Sequence, residues 1–365
     1  MSELAELLGR CAPAYLRTHH AQMPLAQQRA LLSIQRCRTA ALGGQLYRCS
    51  ACGKMDFAYH SCHHRACPRC GGARTAAWTQ KQTERLLPVP YFLVTFTVPA
   101  ALRFAFQAQP ERLHDLLFHE AATALQAVAA EPRHLGAELG FLGVLHTWTR
   151  QLAHHPHVHF IVAGGGLRAD HKKWRKTRQP DWLLPAAALS ARFRLGFAEA
   201  LATAAPELHA QVPDSCWRHN WIVDVQPAGS GQAVVRYLAR YVCRTALSDE
   251  RLVRGDATSV TFRYTDSRTG AKRSCTLPTD EFLRRYLQHV LPPGQHRVRY
   301  FGWMHPAAKR RRLIVETLLA AAIVLRPTPP ALSWHLHCPH CQAFALVPLA
   351  QIPRLIHPAC ARAPP

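Results

Sequence analysis

The stretch LHTWTRQLAHHPHVHFIVAGGG, residues 145–166, decides the fold of this chain. It joins two apolar segments, Phe141 to Trp148 and His157 to Val162, through a short polar turn. Two such segments around a turn are typical of an antiparallel β-hairpin. If the turn lies near residues 152 and 153, the two residue numbers of each cross-strand pair add up to about 305. The sequence therefore predicts a hairpin with a defined register.

Three histidines of this hairpin form a candidate site for a divalent cation. His157 and His159 are separated by one residue, so their side chains point to the same face of the strand. In the predicted register, His146 lies opposite His159 on that face. Three imidazoles arranged in this way leave coordination positions open for substrate oxygens and water. The alternative is a basic hairpin without a metal.

The segments on either side of the hairpin predict an α+β fold. RLLPVPYFLVTFTVP contains a β-branched and aromatic strand after two prolines, and an Ala- and Leu-rich helix follows. The predicted elements are a strand from Tyr91 to Val98, a helix from Glu111 to Ala130, the hairpin, a helix from Leu189 to Ala204 and a strand from Trp221 to Val225. The order β-α-β-β-α-β is that of a ferredoxin-like, or RRM-like, antiparallel sheet with helices on one face.

The next helical segment, VVRYLARYVCR, contains two tyrosines. Tyr237 and Tyr241 are four residues apart and lie on one face of the predicted helix, which runs to about Ala246. Arg236, Arg240 and Arg244 form a parallel stripe. Paired tyrosines at this spacing are often only core packing. Together with cations they can instead attack a phosphodiester, because nearby positive charge stabilises the transition state.

Cysteine pairs at both ends of the chain predict structural zinc. Two Cys-x-x-Cys knuckles have a spacing that suits one four-cysteine zinc ribbon: Cys49, Cys52, Cys67 and Cys70. A second zinc site is predicted around Cys37 and Cys62, with buried thiols as the alternative. A C-terminal zinc knuckle is a further hypothesis, and its candidate ligands are Cys338, Cys341, His357 and Cys360.

Composition points to a nucleic-acid partner. Lys and Arg number 45 against 22 Asp and Glu, which gives a formal net charge of +23. Such a surplus favours a polyanion. The cysteines number 13, which is odd, and several of them lie in Cys-x-x-Cys pairs. Together with the absence of an apolar leader, this argues against a secreted disulfide scaffold. The basic run that contains Lys172, Lys173, Trp174 and Arg175 is predicted to hold single-stranded DNA by charge and stacking, as is the run from Lys309 to Arg312.

Taken together, these motifs resemble the insertion-sequence-91 family of rolling-circle transposases, within the HUH endonuclease superfamily of two-tyrosine nucleases. The matching stretches are CRTAALGG, CSACG, SCHHRACPRC and LLPVPYFLVTFTVP, followed by the histidine hairpin, YLARYVCRTALS and HRVRYFGWM. The resemblance implies that His157 and His159 bind Mg²⁺ or Mn²⁺, with His146 as third ligand by analogy to related relaxases. It also implies that Tyr237 and Tyr241 attack single-stranded DNA to form 5′-phosphotyrosine.

The sequence thus predicts an enzyme that nicks and rejoins DNA at the ends of a mobile element. We expect a zinc-ribbon DNA-binding domain over residues 1–88, an HUH-type catalytic domain over 89–306 and a small tail over 307–365 with a basic helix and a zinc knuckle. We expect a cytoplasmic, nucleoid-associated protein with no membrane partner and no small-molecule substrate. The alternatives are a replication initiator or relaxase with the same chemistry, and a non-catalytic zinc-ribbon DNA-binding protein. A metal amidohydrolase is disfavoured, because the chain lacks the repeated β-α units of a barrel.

Overall fold

A computed structural model describes residues 2–243, 246–266, 269–319 and 337–355. The helices are α1 (Glu3–His19), α2 (Leu25–Arg36), α3 (Gly71–Thr83), α4 (Arg103–Ala108), α5 (Pro110–Ala130), α6 (Ala186–Ala204), α7 (Pro206–His209), α8 (Ser215–Arg218), α9 (Gln232–Cys243), α10 (Thr279–Leu287) and α11 (Lys309–Leu318). The strands are β1 (Gly44–Cys49), β2 (Met55–Tyr59), β3 (Tyr91–Thr97), β4 (Gly140–Trp148), β5 (His154–Ala163), β6 (Gly165–Leu167), β7 (Trp174–Lys176), β8 (Val223–Pro227), β9 (Leu252–Gly255), β10 (Ser259–Thr265), β11 (Lys272–Pro278), β12 (Val298–Gly302) and β13 (Leu346–Ile352). The predicted α+β class is confirmed.

A five-stranded antiparallel sheet forms the centre of the molecule. Its strand order is β12-β4-β5-β3-β8, so the second strand of the histidine hairpin is central. The predicted succession of strand, helix, two strands, helix and strand occurs as β3, α5, β4, β5, α6 and β8. The bounds differ from prediction by a few residues: β5 begins three residues early, at His154, and the predicted strand from Trp221 begins at Val223.

Different helices pack on the two faces of this sheet. One face presents aromatic and aliphatic side chains such as Phe96, Phe141 and Phe160 to α5 and α6, and this layer is the main core. The opposite face presents Val144 and Ile161 to α9. Since side chains alternate along a strand, the odd-numbered histidines of β5 fall on the α9 side. The hairpin and the tyrosine helix therefore share one layer of the fold.

The strand β12 extends the sheet beyond the hairpin and fixes the position of Trp303. The indole of Trp303 is fully buried and lies against Gly140 at the start of β4. A Cβ atom on Gly140 would come within 2.2 Å of the indole. Glycine is required at this position because only the bare backbone leaves room for the ring.

The N-terminal part of the chain packs on the region after α9. Leucines of α1 and α2 share a core with Phe262 of β10 and Phe282 of α10. A separate three-stranded sheet of order β13-β1-β2 joins a C-terminal strand to the cysteine-rich segment. No helix among the described residues combines the length and the apolarity that a bilayer crossing requires.

Candidate active site

Three histidines meet on the α9 face of the central sheet. The ligand atoms of His146, His157 and His159 all lie within 4.8 Å of one another, and the three side chains are buried. They belong to the adjacent strands β4 and β5. A cluster of three imidazoles at this separation could hold a divalent transition metal and leave coordination positions open.

Hydrogen bonds fix the orientation of His157. Its Nδ1 atom lies 2.7 Å from the carbonyl oxygen of His155, so Nδ1 carries the proton and donates it. Nε2 then bears the lone pair, and it lies 2.8 Å from Nδ1 of His146. A backbone carbonyl that holds the remote nitrogen of a metal-binding histidine is a recurrent supporting contact.

A hydroxyl from the neighbouring strand β3 orients His159. Thr95 Oγ1 lies 2.9 Å from Nδ1 of His159, and Thr95 pairs with His159 in the β3–β5 register. Nε2 of His159 and Nε2 of His146 are buried with no hydrogen-bond partner among the described residues. Buried nitrogens of this kind need a partner, and a cation would supply one.

Burial keeps the three imidazoles neutral. It lowers the pKa of His159 to about 4. Burial, together with repulsion between the rings, lowers the pKa of His146 and of His157 well below the usual value. Neutral imidazole is the form that binds a metal, so the cluster is in its ligand form at neutral pH.

The register of the hairpin corrects our prediction by two residues. His146 lies opposite His157, and Val144 lies opposite His159, so paired positions sum to 303 in place of 305. A tight turn causes the difference: the amide of Thr149 donates to the carbonyl of Ala153 at 2.9 Å, and the ladder is irregular after His146. A shift of two preserves the face of every side chain, so His146 still joins the cluster.

The two tyrosines of α9 lie beside the histidines. The ring centroid of Tyr241 is 4.3 Å from that of His146, and the centroid of Tyr237 is 6.4 Å from that of His159. The two phenol rings are 5.0 Å apart. Tyr237 is 41% exposed, whereas Tyr241 is half-buried against Trp148. The helix thus presents one phenol to solvent and packs the other against His146 and Trp148.

Arginines from outside the predicted stripe lie beside α9. Burial and a hydrogen bond with Tyr241 raise the pKa of Tyr237, while Arg150 and Arg240 act in the opposite direction. Arg251 couples electrostatically to Tyr241, and the Arg297 guanidinium donates to the Tyr241 carbonyl oxygen at 2.8 Å. Sequence reasoning missed Arg150, Arg251 and Arg297, because they lie in three separate connecting segments that only the tertiary fold brings to α9.

The predicted DNA-binding residues fall in two places. Arg236 and Arg240 are exposed on α9, and Arg244 lies outside the described residues. The side chains of Lys172, Lys173 and Arg175 are exposed on the hairpin formed by β6 and β7.

Trp174, the aromatic residue of the predicted contact with single-stranded DNA, packs partly within the fold. Its ring packs edge-to-face on Trp303 with 5.8 Å between centroids. The ring is half-buried and contributes to the core on the α9 side of the sheet. Part of its apolar area therefore packs within the fold, and its contact with DNA stays a prediction.

The cysteines divide differently from our prediction of one ribbon. The four predicted ligands belong to two clusters, because the second knuckle folds toward α2 while the first faces the C-terminal segment. The clusters are Cys37, Cys62, Cys67 and Cys70, and Cys49, Cys52, Cys338 and Cys341. The predicted second pair, Cys37 and Cys62, thus completes the site of the second knuckle. His357 and Cys360, proposed for a C-terminal knuckle, lie outside the described residues.

The first cluster, formed by Cys37, Cys62, Cys67 and Cys70, has the dimensions of a thiolate cage. Sγ of Cys70 lies 3.5 Å from Sγ of Cys37 and 3.7 Å from Sγ of Cys62. A disulfide would bring two sulfurs to about 2 Å, whereas tetrahedral zinc at about 2.3 Å from each sulfur separates them by nearly 4 Å. The Cys62 amide donates to Cys37 Sγ at 3.4 Å, which favours a thiolate. The donor set and the spacing fit zinc.

Comparisons with known proteins match two parts of this chain. Residues 7–98 match a family model described as "Transposase zinc-binding domain", and residues 140–312 match one described as "Putative transposase". The chain is 39% identical over 329 residues to "Putative transposase y4qJ" of Sinorhizobium fredii, covering 85% of this chain and 82% of that protein. The chain belongs to the insertion-sequence-91 family of transposases. Its resemblance to that family, and its N-terminal zinc-binding domain, are confirmed.

A second relative of this transposase comes from a plant pathogen. The "Transposase for insertion sequence element IS801" of Pseudomonas savastanoi pv. phaseolicola is 32% identical over 288 residues, covering 73% of this chain and 68% of that protein. No solved structure matches the chain. The histidine hairpin and the tyrosine helix both lie within residues 140–312, the transposase match, and the first cysteine cluster lies within the zinc-binding match. A transposase binds and cleaves DNA.

Proposed function

We propose that this transposase nicks and rejoins single-stranded DNA at the ends of its element through 5′-phosphotyrosine intermediates, as in rolling-circle transposition. The observation that supports the proposal is the convergence of two tyrosines and three histidines on the α9 face of the central sheet. The Tyr241 ring lies 4.3 Å from the His146 ring, and the Tyr237 ring lies 6.4 Å from the His159 ring. On this proposal the sheet and its two covering helices are the ferredoxin-like core of an HUH endonuclease.

The three histidines would hold Mg²⁺ or Mn²⁺. The unpartnered Nε2 of His159 and the fixed lone pair of His157 support this assignment. When bound, such an ion supplies Lewis-acid polarisation of a phosphate oxygen. The protein's own contribution is to present the nitrogens in their neutral, lone-pair form.

The tyrosines would act as nucleophiles. In the nicking step the phenolic oxygen bonds to phosphorus, the bond from phosphorus to the 3′-oxygen breaks, and the proton lost by the phenol balances the one gained by the 3′-hydroxyl. The pKa of Tyr237 is raised, so its phenol needs cationic help, and Arg150 and Arg240 supply positive charge beside it. A second tyrosine on the same helix allows a second strand transfer while the first strand stays covalently held.

The DNA strand would follow positive charge along α9. Arg236 and Arg240 are exposed on that helix, and the chain carries a net charge of +23. Lys172, Lys173 and Arg175 would extend the contact to the phosphate backbone along the β6–β7 hairpin. The cysteine clusters would hold structural Zn²⁺. The N-terminal head, residues 1–88, would bind the element ends, and residues 89–306 would form the catalytic domain. We place the protein in the cytoplasm on the nucleoid.

A covalent adduct tests this proposal. The full chain is incubated with Mn²⁺ and labelled single-stranded oligonucleotides that span each end of its element, and tryptic peptides are analysed by mass spectrometry. We expect a nucleotide adduct on Tyr237 or Tyr241. The Y237F/Y241F variant should form none, and the matched control Y264F, altered on strand β10, should react like the parent protein.

Two results would contradict the proposal. The first is strand cleavage by Y237F/Y241F at the parent rate, since water would then be the nucleophile. The second is an adduct on a residue outside α9. The double variant H157A/H159A should lose adduct formation with Mn²⁺ while still binding the oligonucleotide, because charge rather than the metal governs binding.

A further inference from the structure

The second cysteine cluster, Cys49, Cys52, Cys338 and Cys341, joins the two ends of the chain. Cys52 and Cys338 are separated by 286 residues in sequence, yet their sulfurs are 3.7 Å apart. Cys49 Sγ lies 3.6 Å from Cys341 Sγ. Residues 338 and 341 fall outside both family matches, which end at residues 98 and 312. We propose that this cluster binds a zinc ion that fastens the C-terminal segment to the N-terminal head.

The backbone of the two halves has the same construction. The Cys49 amide donates to the Lys54 carbonyl oxygen, and the Cys338 amide donates to that of Ala343, both at 2.9 Å. The carbonyl oxygen of each first cysteine also accepts a hydrogen bond from the amide four residues later. Cys49 accepts from Gly53 at 2.9 Å, and Cys338 accepts from Gln342 at 2.8 Å. Two matching Cys-x-x-Cys knuckles that face each other form a zinc ribbon.

Left-handed backbone closes both knuckles. Gly53 has φ of +73° and Gln342 has φ of +61° directly after the second cysteine of each pair. Glycine adopts this region readily, but glutamine pays a steric cost that the surrounding structure must offset. The Gln342 amide donates to the Cys338 carbonyl oxygen and helps to hold this conformation, and the proposed ion would add a further constraint.

The apolar core around the second cluster is small. The buried residues of this part are Cys49, Cys338 and Leu346, with Tyr47 and Ala345 partly buried against them. Cores of this size are stabilised by metals or disulfides in other small domains. Sulfur separations of 3.6 and 3.7 Å exclude a disulfide in this arrangement and match tetrahedral thiolate ligands.

Hydrogen bonds carry the effect of the ion along the C-terminal strand. The Ser50 amide, between the first two ligands, donates to the Ala345 carbonyl oxygen at 2.8 Å. From there β13 pairs with the whole of β1, from Cys49 opposite Leu346 to Gly44 opposite Ile352. Closing so long a loop with an ion also reduces the freedom of the unfolded chain. The metal would therefore order β13 as the edge strand of the head.

Cobalt titration of the full-length apoprotein tests the inference without any variant. Only thiolate-bound Co²⁺ gives sulfur-to-cobalt charge-transfer absorption, so the histidine site does not contribute. We expect the band to saturate at two ions per chain. Saturation at one ion, or a Cys49–Cys341 disulfide in peptide maps of protein isolated under reducing conditions, would overturn the proposal.

Paired variants assign the second ion to both ends of the chain. C338S/C341S and C49S/C52S should each bind one thiolate-held ion, and the quadruple variant should also bind one, because all four cysteines serve the same site. The control C11S/C216S, altered outside either cluster, should bind two. A quadruple variant with no thiolate-held ion would mean that the two pairs serve different ions, and would refute the shared site.

Hydrogen–deuterium exchange provides a readout independent of metal counting. The amides of β13 should be protected in zinc-loaded protein and in C11S/C216S, and should exchange at least tenfold faster in C49S/C52S, although that change lies far away in sequence. Unchanged exchange in β13 would refute the fastening role. This inference does not depend on the phosphotyrosine proposal, and neither result affects the adduct experiment.

Discussion

The hydrogen bond between Thr95 and His159 offers a sharp test of how the sheet prepares the proposed metal site. The hydroxyl lies 2.9 Å from Nδ1, and the pair is joined across the β3–β5 ladder. Thr95→Val keeps the shape of the side chain and removes the hydroxyl. Nδ1 of His159 then has no partner to fix its tautomer, and the lone pair is no longer directed into the cluster.

The expected magnitude follows from the role of supporting contacts. Removing a partner of a metal-binding histidine weakens metal affinity by roughly 10–100-fold. That factor corresponds to about 1.4 to 2.8 kcal/mol. Leaving one buried polar group unsatisfied costs about 1–3 kcal/mol, so the two approaches agree. We therefore expect the Kd for Mn²⁺ to rise at least tenfold in T95V.

The measurement is a Mn²⁺ titration followed by the paramagnetic resonance signal of free ion, with nicking of a single-stranded oligonucleotide measured in parallel. Saturating Mn²⁺ should restore most of the nicking rate of T95V, because Thr95 positions a ligand and does not touch the DNA. The control is T97V, which makes the same substitution one pleat away on the same face. A Kd for T95V within twofold of the parent protein, or equal weakening by T97V, would refute the reasoning.

Two further predictions concern stability. Burial lowers the pKa of His114 to about 4, so between pH 6.5 and 4 the unfolded chain binds a proton that the folded chain excludes. The contribution of His114 to stability should be fully present above this window and fall by about 3 kcal/mol as the pH drops through it. The free energy of unfolding, measured with denaturant at several pH values, should depend less on pH in H114Q than in the parent protein. It should depend on pH as in the parent in H119Q, which is altered on the exposed face of the same helix. Equal slopes for the parent, H114Q and H119Q would contradict this. Gly140→Ala should lower the free energy of unfolding by about 1–3 kcal/mol, because the new Cβ meets the buried Trp303 ring. The control Gly72→Ala, in an open position of α3, should raise the free energy of unfolding by up to about 1 kcal/mol. An unchanged free energy of unfolding in G140A would show that the Trp303 ring has room to move.

The elements of the central sheet could be predicted because their local signals agree with the tertiary fold. The strand β3 is rich in β-branched and aromatic residues after two prolines, and α5 is an uninterrupted Ala- and Leu-rich helix. The strand β12, which continues the sheet beside β4, was not assigned to it in advance. Its five residues are all half-buried, and their partner lies more than 150 positions away, so no local pattern indicates the pairing.

The site was predictable to the extent that it depends on periodicity. Tyr237 and Tyr241 share a face because they are four apart on a helix, and the histidines share a face because strands alternate. The arginines beside α9 carried no such signal. Arg150 lies in the hairpin turn and Arg251 before β9, and both reach α9 only through the packing of the chain.

The cysteine pairs show where spacing alone reaches its limit. A Cys-x-x-Cys knuckle supplies two of four ligands, and sequence identifies the knuckle but not its partner. Cys49 and Cys67 begin two knuckles close together in sequence, yet β1 directs the first toward the C-terminal strand and the start of α3 directs the second toward Cys37. Ligand pairing is therefore a property of the tertiary fold, in the same way as disulfide connectivity. It follows that a head truncated before residue 337 keeps the four cysteines of one cluster but only half of the ligands of the other, and can represent only one of the two sites.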